Sequence, residues 1–434
     1  MASATPRTGT DTLWKRNLAF IWIGVFVGLL GANFVFPFIP TYVKELGVSG
    51  ESDIAFYTSL TASATGLSLT LTAPIWGSLA DRYGRKPMFL RALIGAGVLI
   101  GVMGVAQAVW QLVALRFLMG AFAGTMGAAA ALVAATTPRE KVGYALGLLQ
   151  TGQFFANTLG PVAGGIVAAS LGIRESFIFC AVLYLVAAFL VYLFVREDPV
   201  EEAGDDLPHG RPKGGSLIEN IRVVVSERQV VFVMLLLFCL WLSTTFVRPV
   251  MPISIDKFGE NDHVIIDVPG WHADLKEEAA TGLVFGVIGL TSTIGALAVA
   301  PLGQRFGYRN IVGLAAFGTG ALYPAVALTG GVVSFALALG AVGIFQGAMV
   351  PGTSALIAAS APEGKQGSTF GVSASMQSLA LMLGPLGGGL VTGLAGIEAV
   401  YVVVGVILLG AATGCFLLIR EPTGLGKDYA SEAR

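Results

Sequence analysis

Charge is what this sequence has least of. Only 12% of its 434 residues are Asp, Glu, Lys or Arg, about half the share of an ordinary soluble domain. That excludes a chain of this size held in water by its own polar surface. Cysteine is equally scarce. Cys180, Cys239 and Cys415 all lie inside apolar stretches, which argues against a disulfide framework and against a metal centre. His263 and His272 stand alone in a polar loop, where a solvated role is the simpler reading. No Gly-rich phosphate loop, nucleophile motif or metal-ligand cluster occurs, and the loops are too short to hold a soluble domain, so an enzyme is not expected. With 26 basic and 27 acidic residues, net charge points to no nucleic-acid partner.

What is abundant is apolar sequence, 55% of the chain with a mean hydropathy of +0.77. It falls in long uninterrupted blocks, each near the roughly 20 residues needed to cross a bilayer as a helix. Twelve blocks are marked, over 17–43, 56–79, 88–108, 112–135, 143–169, 176–195, 229–252, 280–302, 311–329, 333–358, 368–394 and 398–419. The first follows Arg7, Lys15 and Arg16, but it is too long for a signal-peptide core and lacks a small-residue cleavage site. It reads as the first span.

The placement of Lys and Arg sets the orientation. With the N-terminus in the cytoplasm, cytoplasmic segments hold 20 basic residues and external loops 4. Both termini are therefore expected in the cytoplasm. The acids divide into 15 cytoplasmic and 12 external, with none well inside a block. The stretch 196–228 is acidic and Gly/Pro-rich, the composition of a flexible linker. It divides the chain into an N-terminal bundle, 1–195, and a C-terminal bundle, 229–434, which carries an external loop at 253–278.

The two parts repeat each other. Gly147 through Gly160-Pro161-Val-Ala-Gly164-Gly165 recurs as Gly371 through Gly384-Pro385-Leu-Gly-Gly388-Gly389, an offset of 224. Arg196-Glu197 recurs as Arg420-Glu421 at the same offset. Asp81-Arg82-Tyr83-Gly84 recurs as Gln304-Arg305-Phe306-Gly307 at 223, and Pro37-x-x-Pro40 as Pro249-x-x-Pro252 at 212. Several ordered matches at nearly constant offset indicate duplicated halves. The expected fold is an all-α integral membrane protein, twelve transmembrane helices in two pseudo-symmetric six-helix bundles.

Four motifs carry a resemblance. The loop Gly77-Ser-Leu-Ala-Asp81-Arg82-Tyr83-Gly84-Arg85-Lys86 resembles the signature loop of the major facilitator superfamily. Block one, with Asn33-Phe-Val-Phe36-Pro37, is similar to the first-helix signature of that superfamily's twelve-helix drug:proton antiporters. Leu112-x-x-x-Arg116-x-x-Met119-Gly120 resembles its fourth-helix motif, and Gly147, Gly160, Pro161, Gly164 and Gly165, echoed by Gly384 and Pro385, its antiporter motif. Ala156 and Met119 depart from the usual residues.

The resemblance implies a transporter working by alternating access. Gly77, Asp81, Arg82, Gly84, Arg85 and Lys86 would latch the halves on the cytoplasmic side. Arg116 would sense protonation, against the competing reading of a side chain that snorkels to the interface. Proton-driven relatives often carry an acid where this chain has Asn33. Asp53, Arg116 and Arg248 are thus the coupling candidates, with Glu45, Glu175, Asp256 and Glu398 as other acids at helix ends. By analogy the substrate cavity takes Asn33, Phe36, Tyr57, Gln153, Asn157, Trp241, Thr245, Gln346 and Gln377. The expectation is export of small lipophilic or amphipathic compounds from the cell by a monomer embedded in lipid, driven by the proton gradient with no cofactor. Uptake or facilitated transport of a metabolite is the alternative within transport, and a non-transporting membrane sensor the alternative outside it.

Overall fold

The computed structural model of the chain describes residues 8–138, 141–197, 227–260, 262–268, 271–361 and 366–421. Most of the expected linker, 198–226, lies outside these. Each apolar block coincides for most of its length with a helical passage, as a bilayer demands, because lipid offers backbone N–H and C=O groups no partner.

Among the described residues the first span runs Thr8–Phe34 and continues through a single 3-10 turn, Phe36–Phe38, into Ile39–Glu45. The break falls at Pro37, which has no N–H to give the helix. The second to sixth spans are Glu51–Tyr83, Arg85–Met103, the split pair Val109–Phe122 and Thr125–Thr136, Val142–Leu171 and Ile173–Phe194. The fourth is interrupted at Gly124, whose φ of 109° suits glycine alone. The seventh span, Arg228–Val247, ends before Pro249 and leads into the short helix Met251–Asp256. The eighth to twelfth are Glu277–Phe306, Tyr308–Val326, Val332–Ser360, Gln366–Ala395 and Ile397–Leu418. Among the described residues ten helices are long and apolar enough to cross a membrane. Large apolar side chains such as Trp110, Leu297 and Val406 remain exposed, as a lipid-facing surface requires.

The loop expected at 253–278 is not plain coil. It holds an antiparallel hairpin, β1 His263–Val268 and β2 Trp271–Lys276, with His263 opposite Lys276 and Val268 opposite Trp271. Val264 is fully buried and Ile265 exposed, the alternation of a strand with one covered face. The all-α expectation needs this one amendment. The membrane face carrying the hairpin is called the hairpin side below, and the opposite face the Gly84 side.

The halves pack alike. In the first, spans one and five, two and four, and three and six are principal partners; in the second, seven and eleven, eight and ten, and nine and twelve. Lipid is as apolar as leucine, so close backbone approach has to hold such pairs together. Gly164 lies against the Phe34 carbonyl and Gly388 against the Phe246 carbonyl, equivalent residues in equivalent contacts. The Gly84 side is fastened the same way twice. The Glu197 carboxylate accepts the N–H groups of Arg85 and Lys86 at 3.0 and 2.7 Å, capping the third span. The Glu421 carboxylate accepts those of Tyr308 and Arg309 at 2.8 and 2.9 Å, capping the ninth. An anion at a helix N-terminus satisfies orphan donors and the helix dipole together. The repeated Arg-Glu pair of the sequence is explained by these two caps.

Candidate functional site at the interface between the halves

Two pseudo-equivalent pairs join the halves, the second span with the eleventh and the fifth with the eighth. Both depend on the repeated glycines. A Cβ on Gly165 would strike the Glu278 carbonyl, and one on Gly389 would lie 2.7 Å from the Ser59 hydroxyl. Nearer mid-membrane, a Cβ on Gly66 would lie 2.8 Å from the Leu381 carbonyl and one on Gly289 2.7 Å from the Thr158 hydroxyl. The Leu386 N–H donates to Ser63 Oγ at 3.2 Å, one residue after Pro385. The expected antiporter motif therefore divides its work. Gly160 and Gly164 seat the first span, while Gly165 and the Pro161 carbonyl, which faces Gly282, seat the opposite half.

Two tiers of ion pairs close the hairpin side. In the outer tier Lys257, just past the seventh span, reaches Glu398 at 2.9 Å and Glu51 at 3.5 Å. Burial pushes the Lys257 ammonium down, but the two carboxylates more than offset this and hold it above the ordinary lysine value. In the inner tier Lys44 donates to Asp256 at 2.6 Å and lies 3.7 Å from Glu277. At the 212-residue offset Lys44 and Asp256 are equivalent positions, so the pair joins the corresponding ends of spans one and seven. Glu277, the first residue of the eighth span, is 2% exposed and faces the Lys44 ammonium. Counting acids as loop residues missed this group. The readable signals were a Lys and an Asp at matching repeat positions and a Glu-Glu pair directly preceding a span.

Deeper lies a polar cluster. Arg248 donates to Asn33 Oδ1, and its guanidinium carbon stands 4.0 Å from the Phe36 ring centroid. Asn33 Nδ2 donates to Asn157 Oδ1 at 3.0 Å and to the Leu29 carbonyl at 2.7 Å. Arg116 is 4% exposed, and its Nε has no partner among the described residues. It borders a void of about 10 Å³ together with Phe36, Thr58, Thr61 and Pro249. Among the described residues neither Arg116 nor Arg248 has a carboxylate partner.

Several expected site residues thus meet: Asn33, Phe36, Asn157, Arg116 and Arg248. Gln153 is half-buried one turn from Asn157, and Gln377 is half-buried at its equivalent position. Gln346 donates to Thr244 at 2.8 Å, and the Trp241 indole N–H is buried without a partner. Tyr57 packs edge-on to Phe56. Thr245 is a correction to the cavity set. Its hydroxyl donates to the Ala380 carbonyl at 2.9 Å, and it packs on Gly384, so it serves helix packing. Asp53 is another correction, exposed in the first turn of the second span instead of turned toward an arginine. Of the expected latch, Lys86 Nζ is held within its own half by the Tyr192 and Val195 carbonyls. The side chains of Asp81 and Arg82, like Gly77, lie outside the described residues.

Two related bundles, joined by ion pairs on the hairpin side around a mid-membrane polar cluster, define a two-bundle membrane transporter. The sequence profile of the Major Facilitator Superfamily matches residues 21–265 and again 233–433, and the chain belongs to that superfamily. It is 31% identical over 415 residues to the multidrug resistance protein MdtG of Yersinia enterocolitica, covering 94% of each chain. The MdtG of Salmonella paratyphi C is 31% identical over 399 residues, covering 92% of this chain and 94% of the relative. Similar solved folds include a bacterial homologue of the human lysosomal transporter Spinster, in an inward-facing and occupied conformation. Its TM-score is 0.73 at 15% identity, over 96% of this chain and 97% of that one. The human organic anion transporter MFSD10 aligns with a TM-score of 0.66 at 19% identity, over 93% and 99%.

Proposed function

We propose that this chain exports small lipophilic or amphipathic molecules by alternating access, in exchange for protons. The observation that carries the reading is the interface itself: two duplicated bundles meet through pseudo-equivalent glycine contacts, with ion pairs across the hairpin side and a polar cluster beneath them. The likeness to the two MdtG proteins along nearly the whole chain supports efflux over uptake. The excess of Lys and Arg supports placing the Gly84 side and both termini in the cytoplasm of a cell-membrane protein. On that orientation the ion-paired hairpin side is the external face. The two bundles, 1–195 and 229–434, act as rigid bodies joined by 196–228, and the protein works as a monomer.

In the opposite state the bundles close on the Gly84 side, and the segment from Gly77 to Lys86, the helix ends around Gly84, latches them there. Asn33, Phe36, Asn157, Gln153, Trp241, Gln346 and Gln377 line the binding region, an apolar surface with a few polar groups that suits weakly specified ligands. For proton coupling, Glu277 replaces Asp53 as the principal candidate. It is an acid buried at the moving interface, with Lys44 from the other half at 3.7 Å, so its charge state is tied to the gate. The test uses energised inverted vesicles and lipophilic dyes. Dye-dependent dissipation of the proton gradient, abolished by an uncoupler, is the expected result. Accumulation indifferent to the gradient refutes antiport, and dye movement only out of the vesicle lumen refutes export.

A further inference from the structure

The two halves differ at one place where the repeat predicts the same packing. Phe416 of the twelfth span lies on Gly313 of the ninth, where a Cβ would stand 2.5 Å from the ring. By the offsets of 224 and 223, the equivalent pair in the first half is Tyr192 of the sixth span and Leu90 of the third. Leucine fills the space that glycine leaves, so the Tyr192 ring cannot settle on the third span. It is 63% exposed, against 39% for Phe416. An apolar groove of about 250 Å³ runs along this seam, lined by Leu90, Ile94, Leu185, Ala188, Phe189 and Tyr192. Ile94, Leu185 and Phe189 are exposed as well, so the groove opens on the outer surface. Spans three and six pack on helices of their own half, away from the pairs that join the bundles.

The groove ends at a cation on the Gly84 side. Lys86 stands one turn before Leu90 on the same helix face, and its Nζ lies 5.4 Å from the Tyr192 ring centroid. Two of its three N–H donors go to neutral carbonyls, Tyr192 at 2.9 Å and Val195 at 2.6 Å. The nearby Glu197 carboxylate is taken up by the backbone N–H groups of Arg85 and Lys86. Arg85 and Arg196 add two positive charges next to Lys86 and Val195 in the chain. Ile94 is eight residues beyond Lys86, about 12 Å along the helix. A charge at headgroup depth is therefore followed by an apolar slot at acyl-chain depth. Pockets that enclose a drug-sized molecule run about 300–1,000 Å³; this groove is smaller and open along one side, the shape of a seat for a chain. We propose that the seam between spans three and six binds an anionic phospholipid, with one acyl chain in the groove and the phosphate on the Lys86 ammonium. A zwitterionic lipid brings its own cation to the same place and gains less. The bound lipid anchors the Gly84 end of the third span in the bilayer.

The test titrates the purified full-length protein, in a neutral detergent, with phosphatidylglycerol and with phosphatidylcholine of the same chains. Lipid-bound species are read by native mass spectrometry. Phosphatidylglycerol is expected to bind about fivefold more tightly, the factor carried by one basic group at a membrane surface. Lys86→Gln should remove that preference, and Lys86→Arg should keep it. Ile94→Trp fills the groove from an exposed position and leaves the charge in place, so it should weaken both lipids. Arg309 is the internal control. It is the equivalent of Lys86 and donates to the Ile419 carbonyl at 3.4 Å, but Phe416 covers the seam beside it. Arg309→Gln should therefore leave the preference unchanged. Melting temperatures near that of the wild type establish that each variant is folded. Equal binding of the two lipids, or equal losses in Lys86→Gln and Arg309→Gln, reduces the effect to general surface charge and overturns the site. Binding untouched by Ile94→Trp overturns the groove as its seat. Displacement of phosphatidylglycerol by glycerol 3-phosphate at comparable concentration identifies a soluble anion as the occupant and overturns the lipid.

Discussion

Replacing Lys44 by Met should open the hairpin side. The substitution keeps the length of the side chain and removes its charge. It deletes the 2.6 Å pair with Asp256, whose side chains are 31% and 36% exposed, and it takes away the nearest cation from Glu277, whose side chain is 3% exposed. A partly exposed pair contributes about 0.5–1 kcal/mol. A buried carboxyl left without a cation is stable in its neutral form, so the lost pair with Asp256 is the main term. An effect of about 1 kcal/mol changes the ratio of closed to open gates by about fivefold. A gate closed about 5 to 1 would then be close to evenly divided. The assay is a spin-label distance between Ser49 and Leu328, exposed residues of opposite halves on the hairpin side, after replacement of Cys180, Cys239 and Cys415. The single variant should show a second, longer distance, and Lys44→Asp combined with Asp256→Lys should restore the short one. A distance distribution that Lys44→Met leaves unchanged, or that the charge swap fails to restore, would refute the ion-pair gate.

Two further tests use neighbouring features. Gly164→Val and Gly165→Val alter adjacent residues with different partners, Phe34 of the same half and Glu278 of the other. The first should lower the melting temperature, since overpacking costs about 1–3 kcal/mol, and the second should leave the fold but prevent closure of the hairpin side; identical effects on stability and gating would contradict this division. The outer tier predicts an alkaline limit. Lys257 is held above the ordinary lysine value, so its contribution is fully present below that value and is lost as pH rises through the raised one. In a Lys44→Met background the closed population should show a fall above about pH 10.5. Adding Lys257→Gln should abolish that fall, and its persistence would assign it elsewhere.

Much of the architecture was legible in the chain because a bilayer leaves the backbone few choices. Block length located the spans, and the ordered repeat of Gly147–Gly165 in Gly371–Gly389 announced the halves. The bends at Pro37 and Pro249 were legible too, since a missing N–H acts locally. The hairpin at His263–Lys276 was not, although its alternation is visible afterwards; short apolar stretches between charges look the same in a loop. The site was legible by composition but not by facing. Asn33, Phe36, Asn157 and Arg248 were expected and do meet, whereas Thr245, at the position equivalent to Asn33, turned into the packing against Gly384.

The sequence by itself determined that this is a membrane protein of two duplicated bundles, since hydropathy, positive charge and repeat are properties of residues in order. Only the tertiary structure decided which charges matter. Lys44 and Asp256 are 212 positions apart and each resembles an ordinary loop charge; Glu277 resembles a residue just outside a span. Their role arises where the two halves touch, because an ionic contact depends on distance and burial, and neither is encoded by any single stretch of chain. The same holds for Arg116 and Arg248. The sequence showed two cations in apolar surroundings, and the fold showed that they flank one phenylalanine without a carboxylate between them.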